Sequence, residues 1–199
     1  MDIFLRKFQD KENRKGRVEQ FFKSDLFSSF KDETVIFDLE IGCGHGHWLN
    51  AYSDSNTDII CVGIDLISKR ILRSNNKKLN NKRKNVSFFK AEANEFLLYK
   101  PSNFKIRNTF ILFPDPWPKK KHHKRRLIQE SFLSLLRENT LPDSLIFFRT
   151  DHLDYHDWTI QKLGDSKSWG IIDTIWPFEH ESYFQNLLPN YKSIISQAL

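Results

Sequence analysis

The chain has 199 residues, of which 39% are apolar and 14% aromatic, enough to bury the core of one domain and to exclude wholesale disorder. Its 31 Lys and Arg outnumber its 25 Asp and Glu, and the formal charge of +6 favours a polyanionic partner. Because Cys43 and Cys61 are its only cysteines and no stretch is apolar for long enough to cross a bilayer, we expect a cytoplasmic protein without a metal or a membrane partner.

The N-terminal residues 1–33 alternate basic, acidic and Phe-rich patches without clear periodicity. They predict a basic arm with one short amphipathic helix around Val18 to Phe30. Residues 34–199 predict one domain, since short apolar runs alternate there with helical stretches, as in a parallel α/β sheet with helices on both faces. The predicted strands are Val35 to Glu40, Ile59 to Asp65, Val86 to Lys90, Thr109 to Phe113 and Ser144 to Arg149. Predicted helices separate them, and from Trp158 onward we expect one more helix and a closing antiparallel pair.

A glycine-rich turn follows the first predicted strand. Gly42, Gly44 and Gly46 would let the backbone approach a ligand closely, and Glu40 precedes them. Asp65 ends the second strand, where an acid can bind both hydroxyls of a ribose. The pattern E-x-G-x-G-x-G differs from the G-x-G-x-x-G of dinucleotide sites. The carboxylate of Glu40 also suits the cationic sulfonium and amino group of S-adenosylmethionine better than a pyrophosphate.

A second candidate segment follows the fourth predicted strand. Asp115 comes directly after this strand and is bracketed by prolines that stiffen its loop. Because parallel strands present their carboxyl ends at one edge, Asp115 should face the same cleft as the glycine turn. An acidic loop cap beside a core tryptophan is the simpler alternative.

A basic tract continues directly from this loop. Six positive charges fall within eight residues, which suits contacts to nucleic-acid phosphates; they are Lys119, Lys120, Lys121, Lys124, Arg125 and Arg126. A second tract has nine Lys and Arg between Asp65 and Glu92, with no acid among them, and could widen this surface. Either tract alone could equally be a solvated face.

Together these segments resemble the bacterial tRNA (guanine-N7-)-methyltransferase family. The resemblance covers about residues 34 to 155 and is carried by LEIGCGHG, GID, EANE, RTD and above all FPDPWPKKKHHKRR, the most specific of these motifs. It implies a Rossmann-like, seven-stranded methyltransferase sheet that transfers methyl from S-adenosylmethionine to N7 of the variable-loop guanine at position 46 of tRNA.

The resemblance also implies roles for individual residues. The cofactor would be contacted by Glu40, Asp65, Glu92 and the glycine turn, and Asp115 would serve both the cofactor edge and catalysis. Lys119 and Asp151 would bind the substrate guanine. Near the end of the chain, the family's Thr-x-Phe-Glu substrate motif is matched best by Ser182 to Gln185, in which the acid is lost. Ser182 and Gln185 are therefore the substrate-binding candidates of the tail.

Two other functions remain open from the sequence. An amino-group methyltransferase acting on adenine or cytosine would use an acid-Pro-Pro-aromatic loop at the same place, but Asp115-Pro116-Trp117 has one proline too few. An RNA-binding module that kept the fold without catalysis is conceivable because of the missing tail acid. The chain could be a monomer or a homodimer.

Overall fold

The computed structural model describes residues 3–27, 30, 33–180 and 190–199, with side chains described from residue 12 onward. Its strands form one seven-stranded sheet in the order β3-β2-β1-β4-β5-β7-β6. The strands are β1 Val35–Ile41, β2 Ile60–Asp65, β3 Val86–Lys90, β4 Phe104–Leu112, β5 Thr140–Thr150, β6 Trp169–Ile172 and β7 Lys192–Ala198. The pairs among β1 to β5 are parallel, whereas β7 is antiparallel to both β5 and β6.

Helices cover both faces of this sheet. They are α1 Ile3–Phe21, α2 His47–Ser55, α3 Ser68–Asn80, α4 Ala93–Tyr99, α5 Glu130–Asn139 and α6 Leu153–Gly164, with a 3₁₀ helix at Lys120–Arg125. One hydrophobic core lies under α1, α4, α5 and α6, and the second lies under α2 and α3. The predicted Rossmann-like sheet of seven strands, with helices on both faces and a closing antiparallel pair, is therefore confirmed.

The first strand shows why the sequence forms this sheet. β1 alternates its side chains between the two faces, so Phe37 and Leu39 enter the core beneath α1. Asp38 and Glu40 consequently point to the other face, and the Asp38 carboxylate accepts a hydrogen bond from Tyr52 of α2 at 2.7 Å. A central parallel strand is buried on both faces, which explains why five of the seven residues of β1 are apolar.

Asp38 is fully buried and has several partners. Arg107 of β4 donates to it from Nε at 2.9 Å and from Nη2 at 2.6 Å, and the backbone N–H of Asn108 donates at 3.2 Å. The β1–β4 register shifts at this point, between Phe37 and Leu39. The irregularity places both donors opposite the acid, which neutralises its charge inside the sheet.

The predicted element bounds differ from the observed ones most in three places. The N-terminal helix ends at Phe21, and the Phe-rich segment after it forms turns that pack Phe22 and Phe27 into the main core. β4 starts at Phe104, five residues before the predicted start. The prediction relied on a continuous apolar run, and the first half of β4 contains polar side chains. α6 starts at Leu153, before the predicted Trp158.

Candidate active site

The glycine turn and the Asp115 loop leave adjacent strands at the same edge of the sheet. β1 and β4 are parallel neighbours, and Ile41 at the end of β1 pairs with Ile111 near the end of β4. The strand order also reverses between β1 and β4, the position where open α/β sheets bind their ligands. The structure therefore places the glycine turn and the Asp115 loop side by side at one edge of the sheet, as predicted.

The glycine turn has a backbone conformation that favours glycine. Gly42, Gly44 and Gly46 have φ values of 78°, 55° and 66°, all in the left-handed region. At Gly46 an added Cβ would lie 2.7 Å from the Phe88 ring, so the site excludes a side chain. At Gly42 no described atom lies within 4 Å of such a Cβ, so this part of the turn is open to a ligand.

Asp65 holds the glycine turn against β2. Its Oδ2 accepts a hydrogen bond from the Gly44 backbone N–H at 3.1 Å, and its Oδ1 accepts one from Ile67 N–H at 2.7 Å. Arg70 Nη1 lies 3.4 Å from Oδ2. Both carboxylate oxygens thus already have protein partners, so contacts to ribose hydroxyls would use their remaining lone pairs.

Glu40 is a buried acid near the end of β1. It is 4% exposed, and its Oε2 has no hydrogen-bond partner among the described residues. Burial, together with the negative charge of Asp65, raises the pKa of Glu40 to about 8, against a lowering contribution from the backbone N–H of Leu49. A buried acid with a free oxygen fits a cationic group such as the one that S-adenosylmethionine carries.

Glu92 is the N-cap residue of α4 and lies shortly after the end of β3. Its Oε2 accepts a hydrogen bond from Glu95 N–H at 2.9 Å, and its Oε1 accepts one from Asn94 Nδ2 at 3.0 Å. The side chain is partly exposed, so it remains accessible beside β3. The cap fixes where the carboxylate lies, which a sequence pattern could not show.

The Asp115 loop is held by backbone and side-chain contacts, and Asp115 itself is exposed. Phe113 N–H donates to the Arg149 carbonyl of β5 at 2.8 Å. Phe113 and Trp117 have positive φ values of 51° and 46°, an unfavourable conformation for non-glycine residues that marks many functional loops. The loop thus presents the carboxylate of Asp115 on a fixed backbone.

Five of the six cations of the first basic tract are exposed: Lys119, Lys120, Lys121, Lys124 and Arg125. Arg126 differs, because it is 2% exposed. Its guanidinium donates from Nε to the Pro116 carbonyl at 2.8 Å, pairs with Asp154 and lies over the rings of Tyr155 and Trp158. The prediction that Arg126 contacts RNA conflicts with this burial; Arg126 supports the Asp115 loop from beneath.

Arg149 anchors the C-terminal segment, a role that the sequence did not suggest. Its guanidinium binds both carboxylate oxygens of Glu179, donates from Nε to Ser193 Oγ at 3.0 Å and lies 3.7 Å above the Trp176 ring. The sequence feature that could have indicated this role is the position of an arginine directly after the apolar run of β5. Asp151 is exposed two residues beyond it.

The two tail candidates, Ser182 and Gln185, lie outside the described residues.

Comparison with known proteins identifies the family. A family model described as "Putative methyltransferase" matches residues 33–186. A tRNA (guanine-N(7)-)-methyltransferase of Mycoplasma genitalium is 30% identical, with 94% of this chain and 90% of that protein covered. The chain belongs to the tRNA (guanine-N7-)-methyltransferase family. Another member, from Prochlorococcus marinus subsp. pastoris, is 32% identical over 86% of this chain and 84% of its own length.

Solved structures agree with the fold of this tRNA (guanine-N7-)-methyltransferase. A precorrin-6y C5,15-methyltransferase from Geobacter metallireducens superposes with a TM-score of 0.57 at 14% identity, covering 87% of this chain and 86% of that one. The family assignment confirms the predicted class of S-adenosylmethionine-dependent enzyme.

In the described part of the chain, no helix has the length and apolarity that crossing a membrane requires.

Proposed function

We propose that this enzyme transfers the methyl group of S-adenosylmethionine to N7 of a tRNA guanine, namely the variable-loop guanine at position 46. The observation that carries the proposal is the shared edge of the glycine turn and the Asp115 loop, in a chain whose relatives bear this activity in their names. A tRNA substrate also supports the predicted cytoplasmic location.

The cleft residues fit the cofactor. Glu40 has a buried oxygen free to meet a cation, the turn at Gly42 is open, and Asp65 and Glu92 flank the turn on β2 and after β3. When bound, S-adenosylmethionine supplies an electrophilic methyl group on its sulfonium. These residues bind and orient it, and they place a negative charge beside it.

Methylation of guanine N7 requires alignment more than proton transfer. N7 has an in-plane lone pair and no proton, so the enzyme needs no strong general base. We assign Asp115 the task of orienting base and cofactor, since its loop is locked to β5 and to Arg126. Asp151 accepts hydrogen bonds from the guanine N1 and N2 edge and compensates the positive charge that develops on the ring. Lys119, exposed at the end of the same loop, contacts the guanine nucleotide.

The exposed tract from Lys119 to Arg125 binds the phosphate backbone. These side chains follow the catalytic loop directly, and Arg125 lies 4.9 Å above the Trp117 ring, which ties the tract to the loop. Backbone contacts of this kind give affinity and register without reading sequence.

The test offers labelled S-adenosylmethionine to tRNA transcripts with and without the variable-loop guanine, followed by strand cleavage at N7-methylated sites. The first transcript should acquire label and cleave at the guanine, and the second should do neither. Asp115→Ala should lower turnover about 100-fold, whereas Asp173→Asn, which changes an exposed acid on another loop, should not.

Label on an amino group, which gives no strand cleavage, would support an amino-group methyltransferase instead. No label together with RNA binding would indicate a module without catalysis. Near-normal turnover of Asp115→Ala, with the fold intact, would remove Asp115 from catalysis.

A further inference from the structure

A cluster of four basic side chains surrounds the glycine turn on the side of α3. Lys77 Nζ lies 2.6 Å from His47 Nε2 and donates to the His45 carbonyl at 3.2 Å. Arg73 Nη1 lies 3.4 Å from His45 Nε2. Arg73 and Lys77 are one turn apart on α3, so both project toward the start of α2.

Burial and the neighbouring positive charges disfavour protonation of three of the four groups. Burial, the positive charge of Arg73 and that of Lys77 lower the pKa of His45, with a smaller contribution from Arg70, while Asp65 opposes the shift. Burial and the charges of Lys77, His45 and His180 lower the pKa of His47. Burial and the charge of Arg73 lower the pKa of Lys77. A bound anion would oppose these shifts and favour the protonated form of each group.

No acid neutralises the cluster within the described ranges. The ion pairs found there include none with His45, His47, Arg73 or Lys77. Asp65, which acts on His45 through its charge, is already paired with Arg70.

The surrounding backbone adds to the positive potential. α2 starts at His47, and its N-cap residue Gly46 provides no side-chain cap, while the N–H of Leu49 in the first turn faces Glu40. The positive end of the helix dipole therefore coincides with the cluster.

The cluster and the first basic tract lie on opposite sides of the strand-order reversal. The cluster lies where β1 and β2 end, and the Lys119–Arg125 tract follows β4 and packs toward α6 through Arg126. Neighbouring strands are about 4.8 Å apart, and the tract extends away from the cluster toward α6, which packs on β5, β6 and β7. One phosphate cannot contact both, but an RNA strand crossing the cleft can.

The C-terminal segment also leads to the cluster. Phe178 packs on Trp48 and Tyr52 of α2, with ring centroids 5.9 Å and 5.6 Å apart. This contact brings His180 near enough to act on His47.

We propose that His45, His47, Arg73 and Lys77 form a second phosphate-binding site, which holds the backbone of the RNA substrate on the α3 side of the cofactor turn. That this RNA is tRNA rests on the proposed function. Of the nine cations in the second basic tract, only Arg73 and Lys77 belong to this site.

The experiment measures tRNA affinity by fluorescence anisotropy from low to moderate salt for the full-length wild type and two matched variants. Arg73→Gln/Lys77→Gln removes two charges from the site. Lys82→Gln/Lys84→Gln removes two exposed charges from the segment after α3, away from the glycine turn. Circular dichroism melting verifies that each variant is folded.

The site variant should weaken tRNA binding about tenfold or more and reduce the slope of log K against log salt by about 1–2. The control should keep both within twofold. Wild-type affinity should rise as the pH falls from 7.5 to 6, because bound phosphate raises the pKa of His45 and His47 and the complex takes up protons. His45→Gln/His47→Gln should abolish most of this rise.

Two outcomes would overturn the site. One is an unchanged salt slope in Arg73→Gln/Lys77→Gln. The other is a loss of S-adenosylmethionine affinity in calorimetry with unchanged tRNA affinity, which would assign the cluster to the cofactor. The binding assays need no turnover, so they test the phosphate site even if the wild type methylates no tRNA. Absence of methylation would refute only the proposed function.

Discussion

Replacing Glu40 by Gln should stabilise the free enzyme while impairing it. The carboxyl has an ordinary pKa of 4.5 when the chain is unfolded and a pKa of about 8 in the folded protein. Between these values the unfolded state releases the proton and the folded state keeps it. Stability of the wild type should therefore fall as the pH rises through this window, by about 1.4 kcal/mol per pH unit.

The magnitude follows from the width of the window. At pH 8 Glu40→Gln should be more stable than the wild type by roughly 3–5 kcal/mol, an upshift of about 10 °C in melting temperature, and at pH 4.5 the two should be alike. Affinity for the cofactor, by contrast, should decrease in Glu40→Gln. Removing the charge that meets a buried cation should weaken binding by about 2–5 kcal/mol.

Wild-type affinity for S-adenosylmethionine should also rise with pH. At pH 7 most of the Glu40 is protonated, and ionising it costs about 1.4 kcal/mol. Binding should therefore tighten up to about tenfold per pH unit until pH 8 and release a proton.

The assay combines thermal melting of the free proteins from pH 5 to 8.5 with calorimetry in two buffers of different ionisation enthalpy. Glu138→Gln, which changes an exposed carboxyl at the end of α5, is the matched control and should behave as the wild type. Parallel pH slopes of stability for the wild type and Glu40→Gln, or equal cofactor affinity, would refute the reasoning.

Three other substitutions test the supports around the site. Arg126→Ala should lower stability by about 1–3 kcal/mol, because the Pro116 carbonyl of the Asp115 loop loses its hydrogen-bond donor. It should also reduce kcat, and an unchanged kcat in a steady-state methyl-transfer assay would contradict the supporting role of Arg126. Arg149→Lys cannot bind both oxygens of Glu179, so we expect a raised KM for tRNA with little change in melting temperature. Arg107→Ala should lower the melting temperature by about 2–10 °C, because the buried carboxylate of Asp38 loses its ion-pair partner, without changing KM for the cofactor.

The order of elements and the identity of the cleft could be predicted from the sequence. Periodicity located the five parallel strands, since a strand buried on both faces must be nearly continuous in apolar residues. The glycine turn and the loop of Asp115 each follow such a strand, and parallel strands end at one edge. The placement of these two loops in one cleft therefore needed no coordinates.

Tertiary structure alone decided which charges are available to ligands. Arg126 and Arg125 are neighbours in one basic tract, yet one is buried under the loop and the other is exposed. Likewise, His45 and Lys77 belong to segments that meet only because α3 packs beside the start of α2. A charge pattern records the number of cations, but burial and the approach of distant segments determine whether each one supports the fold or faces the substrate.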